Sequence, residues 1–427
     1  MQYENQGTNR LVEALIGFGC YASFWSNVDG IGGVMQLSYL GFFLAASFYV
    51  LIFGRVAGTP PSATELTLYS VGVLSACVAL FRSQEFSAQY TMIFLATLIL
   101  TSILARSVPL ERLLDLGAVT AFACVLTAIL IDGRGFYRAL SISISSHGLF
   151  RYAPLNTHPV LMGLIFGMGS ILMARRALLA TTIYYRVAMI AGSLLAVVFI
   201  IAASSRGSLL SLSIAALTAL LLDVRFPKGT RLKLLGACVA AAGVLAFFIG
   251  GKVASYLDTI LQIHSSSRGL GSGFTGRDVL WAHAFSTFLS DPVLLFVGGG
   301  LRSSELATIG FLTENSYITI LLDSGLFAGG SLILVLLYSL VSARRLSRGA
   351  GASGMSKPTL FLVPLLVFIL VQSFFDRYLV AVGNPASLLL LLVFISLSLR
   401  PKRKGGVVES EAGDSAVVRG HMMPVSR

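Results

Sequence analysis

Three short stretches carry residues able to do chemistry on an anionic substrate: Ser204-Ser205-Arg206-Gly207-Ser208, Gly276-Arg277-Asp278, and Thr313-Glu314-Asn315-Ser316-Tyr317. Arg206 is the only charge between Arg186 and Asp223. A guanidinium presents a planar fork of donors that matches phosphate oxygens. Placed at a helix start among hydroxyls, it adds to the free N–H groups and positive dipole end there and makes an anion site. The competing reading is an arginine snorkelling to a membrane interface. Arg277 opens a short helix and is the second anion candidate, with a salt bridge to Asp278 or another nearby acid as its structural alternative. Glu314 stands where a helix begins. It is either a cap for that helix or a general base that takes the proton of an attacking hydroxyl. Arg302, after Gly298-Gly299-Gly300, is a third phosphate contact or a solvated loop residue. Arg151, before His158 and Pro159, lines a substrate path or is a loop charge beside a helix-start proline.

Most of the remaining chain positions these residues in a membrane. The 427 residues are 56% hydrophobic and only 12% charged, about half the charge of an ordinary soluble protein. The apolar runs approach the ~20 residues that cross a hydrocarbon core as a helix. The expected fold is an all-α polytopic membrane protein of about twelve helices, with spans near 11–26, 33–53, 66–82, 88–106, 114–132, 159–174, 184–203, 207–223, 233–250, 315–342, 359–380 and 384–399. Residues 1–400 are read as one membrane domain and 401–427 as a disordered cytoplasmic tail. No cleavable signal peptide is evident at the start.

Charge distribution orients the bundle. With both termini cytoplasmic, the cytoplasmic side holds roughly twice as many lysines and arginines as the outer side. The net charge of +12 is thus a topology signal with some attraction to anionic lipid, and nucleic acid is not the expected partner. This topology leaves two long outer loops, 133–158 and 251–314. It places Arg206, Arg277, Glu314 and Arg302 on one membrane face. In the second loop, Leu280, Ala284, Phe285, Phe288 and Leu289 form a stripe suited to lying on the membrane surface. Asp323, Gly325, Gly329 and Gly330 within the tenth span suggest a kink or close packing. Cys20, Cys77, Cys124 and Cys238 all fall in apolar runs and read as small buried hydrophobes. No metal-ligand spacing occurs, so neither a metal nor another cofactor is expected.

Together these segments resemble the O-antigen ligase/polymerase superfamily of bacterial envelope glycosyltransferases. The likeness rests on about twelve helices with a large outer loop between the ninth and tenth. It rests also on Ser205-Arg206-Gly207 at a helix start, Gly276-Arg277 with Trp281, Gly298-Gly299-Gly300, and Asn315-Ser316-Tyr317 followed by Asp323-Ser324-Gly325. The resemblance implies a GT-C-like, metal-independent glycosyltransferase in the bacterial inner membrane with its site facing the periplasm. It implies that Arg206 and Arg277 hold the diphosphate of an undecaprenyl-diphosphate-linked glycan donor; the residues themselves add Glu314 as candidate base and Arg302 and Arg151 as further substrate contacts, and the Asn-x-Tyr likeness adds Asn315 and Tyr317. Ligases of the family carry a histidine near the position of Glu314. The Thr-Glu-Asn-Ser-Tyr run is closer to the polysaccharide polymerases, whose acceptor is a lipid-linked repeat unit. The resemblance extends to a flippase and a chain-length regulator as partners. The alternatives are a ligase that transfers the glycan to lipid A core or protein, and, in a different class, a transporter or flippase.

Overall fold

The computed structural model describes residues 4–28, 30–53, 60–82, 85–145, 152–154, 157–222, 277–302, 310, 312–351, 361–379, 381 and 383–399. Among them the regular structure is helical, with no strand. The helices are α1 (Glu4–Trp25), α2 (Gly32–Phe53), α3 (Ala63–Phe81), α4 (Glu85–Ser107), α5 (Leu110–Ser145), α6 (Pro159–Leu179), α7 (Ile183–Ala202), α8 (Arg206–Leu222), α9 (Arg277–Ser290), α10 (Pro292–Phe296), α11 (Ser316–Ser324), α12 (Ser331–Gly351), α13 (Leu362–Gln372) and α14 (Pro385–Leu399). A π-helical turn, Gly325–Gly330, joins α11 to α12.

Seven of these helical segments are long and apolar enough to cross a membrane, and α8, α13 and α14 are shorter apolar helices. Their surfaces support the same conclusion. Leu37, Phe48, Leu80, Leu130, Leu194 and Leu334 are all exposed on helix flanks, which suits lipid and not water. α6 and α14 are apolar nearly all round and buried along their length, so they form the centre of the bundle. The chain is therefore a polytopic helical membrane protein. Helices stand at each expected span except 233–250, which lies outside the described residues, as do Arg151, the loop to 276 and the tail 401–427.

Cys77, expected to be buried, is exposed, unlike Cys20 and Cys124, and two further expectations are corrected. The outer loop expected from 133 begins instead as helix, because α5 continues to Ser145. Its backbone breaks at Asp132 (φ −132°, ψ 38°), where the carboxylate accepts from the Gly135 N–H and the carbonyl from the Tyr152 hydroxyl. Those bonds hold a kink where the loop was expected. Second, the stripe in α9 does not all lie on a membrane surface. Ala284 and Phe288 are buried with Leu294, Ile318 and Leu322 in a small separate core, whereas Phe285 and Leu289 remain exposed. Packing on α11 claims one edge of the stripe.

The helices alternate in direction, so α3 and α4 define two ends of the bundle. One end carries Glu65 and Arg106, at the start of α3 and the end of α4. The other carries Arg82 and Ser87, which reach Asp291 and the Leu301 carbonyl. It also carries the start of α8 and the segment after α13, the two packed together through Gly207 and Phe375.

Candidate active site

Arg206 is the first residue of α8. The turn before it is tight: Ser204 adopts a left-handed conformation (φ 48°) and its N–H donates to the Ile201 carbonyl. Ser205 and Ser208 share a hydrogen bond of 2.7 Å against Gly163 of α6, where a Cβ would lie 2.5 Å from the Ser205 hydroxyl. Gly207 is needed for a second close approach. A Cβ there would lie 2.6 Å from the Cβ of Phe375. The start of α8 is thus clamped between α6 and the 373–378 segment, with Arg206 half-buried at its tip.

The same 373–378 segment receives Arg277. The Arg277 guanidinium donates through Nη1 to the Phe375 carbonyl at 3.2 Å and through Nη2 to Glu314 Oε2 at 3.4 Å. The Arg277 and Glu314 side chains are 22% and 20% exposed, so solvent or a ligand can reach both. Their separation is longer than the ~2.8 Å of a tight charge-assisted bond. Trp281, one turn on, donates its indole N–H to the Thr313 carbonyl at 2.8 Å and ties α9 to the residue before Glu314. The segments of Arg206 and Arg277, far apart in sequence, therefore meet at Phe375, and Glu314 joins them through Arg277.

Glu314 is not the helix cap. It lies before α11 in a left-handed conformation (φ 52°), a rarely populated state for glutamate. Asn315 is the cap: its Oδ1 accepts from the N–H groups of Tyr317 and Ile318. Tyr317 donates its hydroxyl to the Leu370 carbonyl at 2.7 Å. Asn315 and Tyr317 thus anchor α11, and Glu314 is turned outward toward Arg277.

Sequence reasoning missed the depth of Asp376. Its side chain is fully buried; Oδ1 accepts from the Ser316 hydroxyl and the Tyr378 N–H, and Oδ2 has no hydrogen-bond partner among the described residues. Burial pushes its carboxyl up to about 7, against hydrogen bonds that lower it, with the nearby Glu314 charge raising it further. Burial also raises the Tyr378 hydroxyl; Glu314 adds to this, while Arg377 and Arg302 oppose it. The exposed His158 ring lies 6.0 Å from that of Tyr378. Arg302 joins this end through a different route, its guanidinium lying 5.1 Å from the centre of the Tyr90 ring.

Three of the four described non-glycine residues with positive φ, namely Ser204, Arg302 and Glu314, belong to this cluster. Backbone strain of this kind collects at functional sites, where packing holds it in place. No family model matches the chain, and neither does any curated protein.

Proposed function

We propose that the chain is a metal-independent membrane glycosyltransferase that polymerises lipid-linked oligosaccharide repeat units into a surface polysaccharide, O-antigen or exopolysaccharide. The growing glycan on undecaprenyl diphosphate is the donor. The observation that carries this reading is the meeting of Arg277 and Glu314 beside Phe375, with the Arg206 turn packed on the same residue through Gly207. Two guanidinium groups and a helix start suit a diphosphate leaving group. A carboxylate beside them suits proton abstraction from a sugar hydroxyl. In the reaction, the acceptor hydroxyl attacks the donor's anomeric carbon and the bond to the diphosphate oxygen breaks. The electron pair leaves with the diphosphate, and the hydroxyl proton passes to Glu314. The site faces the periplasm from the inner membrane, with both termini cytoplasmic, as the distribution of lysine and arginine favours.

Reconstitution in liposomes with a lipid-linked repeat unit as sole substrate tests this. A ladder of products is expected, lost in Arg206→Ala and Arg277→Ala at normal protein level. Long polymer from both variants would overturn the mechanism. Product only after lipid A core is added would make the protein a ligase, and glycolipid flux without glycan transfer would make it a transporter.

A further inference from the structure

Arg302 has a backbone held at some cost. Its φ of 60° is left-handed, a conformation that strains a side-chain-bearing residue. Three bonds hold the segment: the Arg302 N–H donates to Asp323 Oδ2 at 3.1 Å, the Gly300 N–H to the Asp323 carbonyl at 2.9 Å, and the Ser87 hydroxyl to the Leu301 carbonyl at 2.8 Å. Each uses the backbone of 300–302, so any residue at 302 could make them, and glycine without strain. None of the three requires an arginine. What the arginine adds is a guanidinium laid against Tyr90. A cation–π contact spends none of the guanidinium's five N–H donors, which keep their capacity for oxygen acceptors.

The surroundings indicate what brings those oxygens. Tyr90 lies one helical turn after Phe86, which is 65% exposed, so both are on one face of α4. Phe81 at the end of α3 is also exposed, and Phe296 and Phe327 stack with centroids 5.4 Å apart, both exposed. A cation thus sits over Tyr90 at the end of the bundle that holds the candidate site, where Phe81, Phe86, Phe296 and Phe327 are exposed. That pairing suits a phosphate carried on an apolar chain.

We propose that Arg302, seated on Tyr90, is a second anion subsite, which takes the diphosphate of the acceptor lipid while Arg206 and Arg277 take that of the donor. This rests on the polymerase reading. The acceptor keeps its own diphosphate while the donor's departs, so two lipid diphosphates occupy the protein together. Their like charges require separate cations.

Equilibrium binding in neutral detergent, with geranylgeranyl diphosphate as the probe, tests the assignment without turnover. The wild-type chain should bind two equivalents. Arg302→Gln should bind one, and Arg277→Gln should bind one while keeping the Arg302 subsite filled. Two equivalents retained in Arg302→Gln, or a single wild-type equivalent lost only in Arg277→Gln, would overturn the second subsite and leave the donor site standing. No binding to the wild type would overturn both. Inorganic pyrophosphate is the companion probe; if it fills the Arg302 subsite as tightly as the prenyl diphosphate, the site takes free anion and the acceptor-lipid assignment falls. Should Arg302→Gln not fold, Tyr90→Leu replaces it: removing the stacking ring should weaken the second equivalent at least about threefold, and unchanged affinity overturns the proposal.

Discussion

The two ends of the helix bundle handle charge in opposite ways. At the end bearing Glu65 and Arg106, two carboxylates are closed on guanidinium groups, while the Arg112–Glu13 pair stays open at 3.8 Å. Glu65 completes a capping box with Ser62 and also takes both terminal nitrogens of Arg106, with side chains 1% and 12% exposed. Asp115 accepts from Arg175 at 2.5 Å and from Arg176 at 2.9 Å. At the other end, Arg277 and Glu314 stand 3.4 Å apart and Arg82 and Asp291 3.8 Å, on backbone strained at Ser204, Arg302 and Glu314. The first arrangement fastens helices together. The second holds its pairs at longer separations on strained backbone, a conformational cost that the proposed anionic substrate would give a purpose.

The largest expected effects follow from this contrast. Arg277→Ala should lower glycan transfer on the order of 10³-fold or more while the protein stays folded, the size typical of removing a group that meets charge developing in the transition state. Arg106→Ala should do the reverse. It leaves the Glu65 carboxylate buried without its partner, which costs about 3–5 kcal/mol, and transfer per folded molecule should remain near wild type. Thermal unfolding in detergent together with initial rates separates the two. If Arg277→Ala destabilises as much as Arg106→Ala and both keep their specific activity, the ends do not differ in kind.

Asp376 gives the next effect, and its sign is definite. Its folded pKa, about 7, lies above that of an unfolded aspartate near 3.9. The folded state therefore holds the extra proton between those values, and stability falls as pH rises from about 4 to about 7, then levels off. The full change is on the order of 4 kcal/mol. Asp376→Asn keeps an oxygen for Ser316 and Tyr378 and should flatten that part of the profile, with a higher melting temperature than wild type at pH 8. A parallel pH profile in wild type and variant would remove Asp376 as the source.

Much of the bundle was legible because membrane helices announce themselves by length and apolarity. The boundaries of α2, α7 and α8 fall within a residue or two of expectation. The site was legible in residue type but not in assembly. Arg206, Arg277 and Glu314 stand out as charges among apolar runs, yet nothing in the sequence says that Phe375 joins them through a carbonyl and a glycine contact. The choice between cap and base was open at Glu314. Glutamate and asparagine both suit a helix start, and only the left-handed Glu314 backbone shows that Asn315 takes it. The α5 kink was hidden in part because one of the bonds at Asp132, that from the Tyr152 hydroxyl, joins residues 20 apart.

Gly207 links the two arginines and should show an intermediate effect. A methyl group there must displace Phe375 or the start of α8, at about 1–3 kcal/mol for overpacking. The displacement moves the carbonyl that orients Arg277, so Gly207→Ala should also lower kcat about tenfold to a hundredfold, as small misplacements of catalytic groups do. Gly163→Ala, packed on Ser205 and Ser208 instead, should cost similar stability but affect the Arg206 side alone. In the diphosphate-binding measurement, equal losses at both positions would mean that the two arginines do not answer to Phe375 separately.

The smallest effect separates the cap from the base. Asn315→Ala removes the acceptor for the Tyr317 and Ile318 N–H groups and should cost about 1 kcal/mol, seen as a fall of a few degrees in melting temperature. The α11 start would fray, but Glu314 keeps its reach to Arg277, so transfer should fall only a few-fold. Glu314→Gln reverses the pattern. It satisfies no helix N–H in either form, so stability should hold within about 0.5 kcal/mol, while transfer falls about 10²-fold or more through loss of the proton acceptor. The two side chains are adjacent in sequence and nearly isosteric with one another's functional ends, so general damage to the α11 start would make the variants behave alike. A stability loss without a rate loss at 315, beside a rate loss without a stability loss at 314, is the pattern that only a division of labour between cap and base produces.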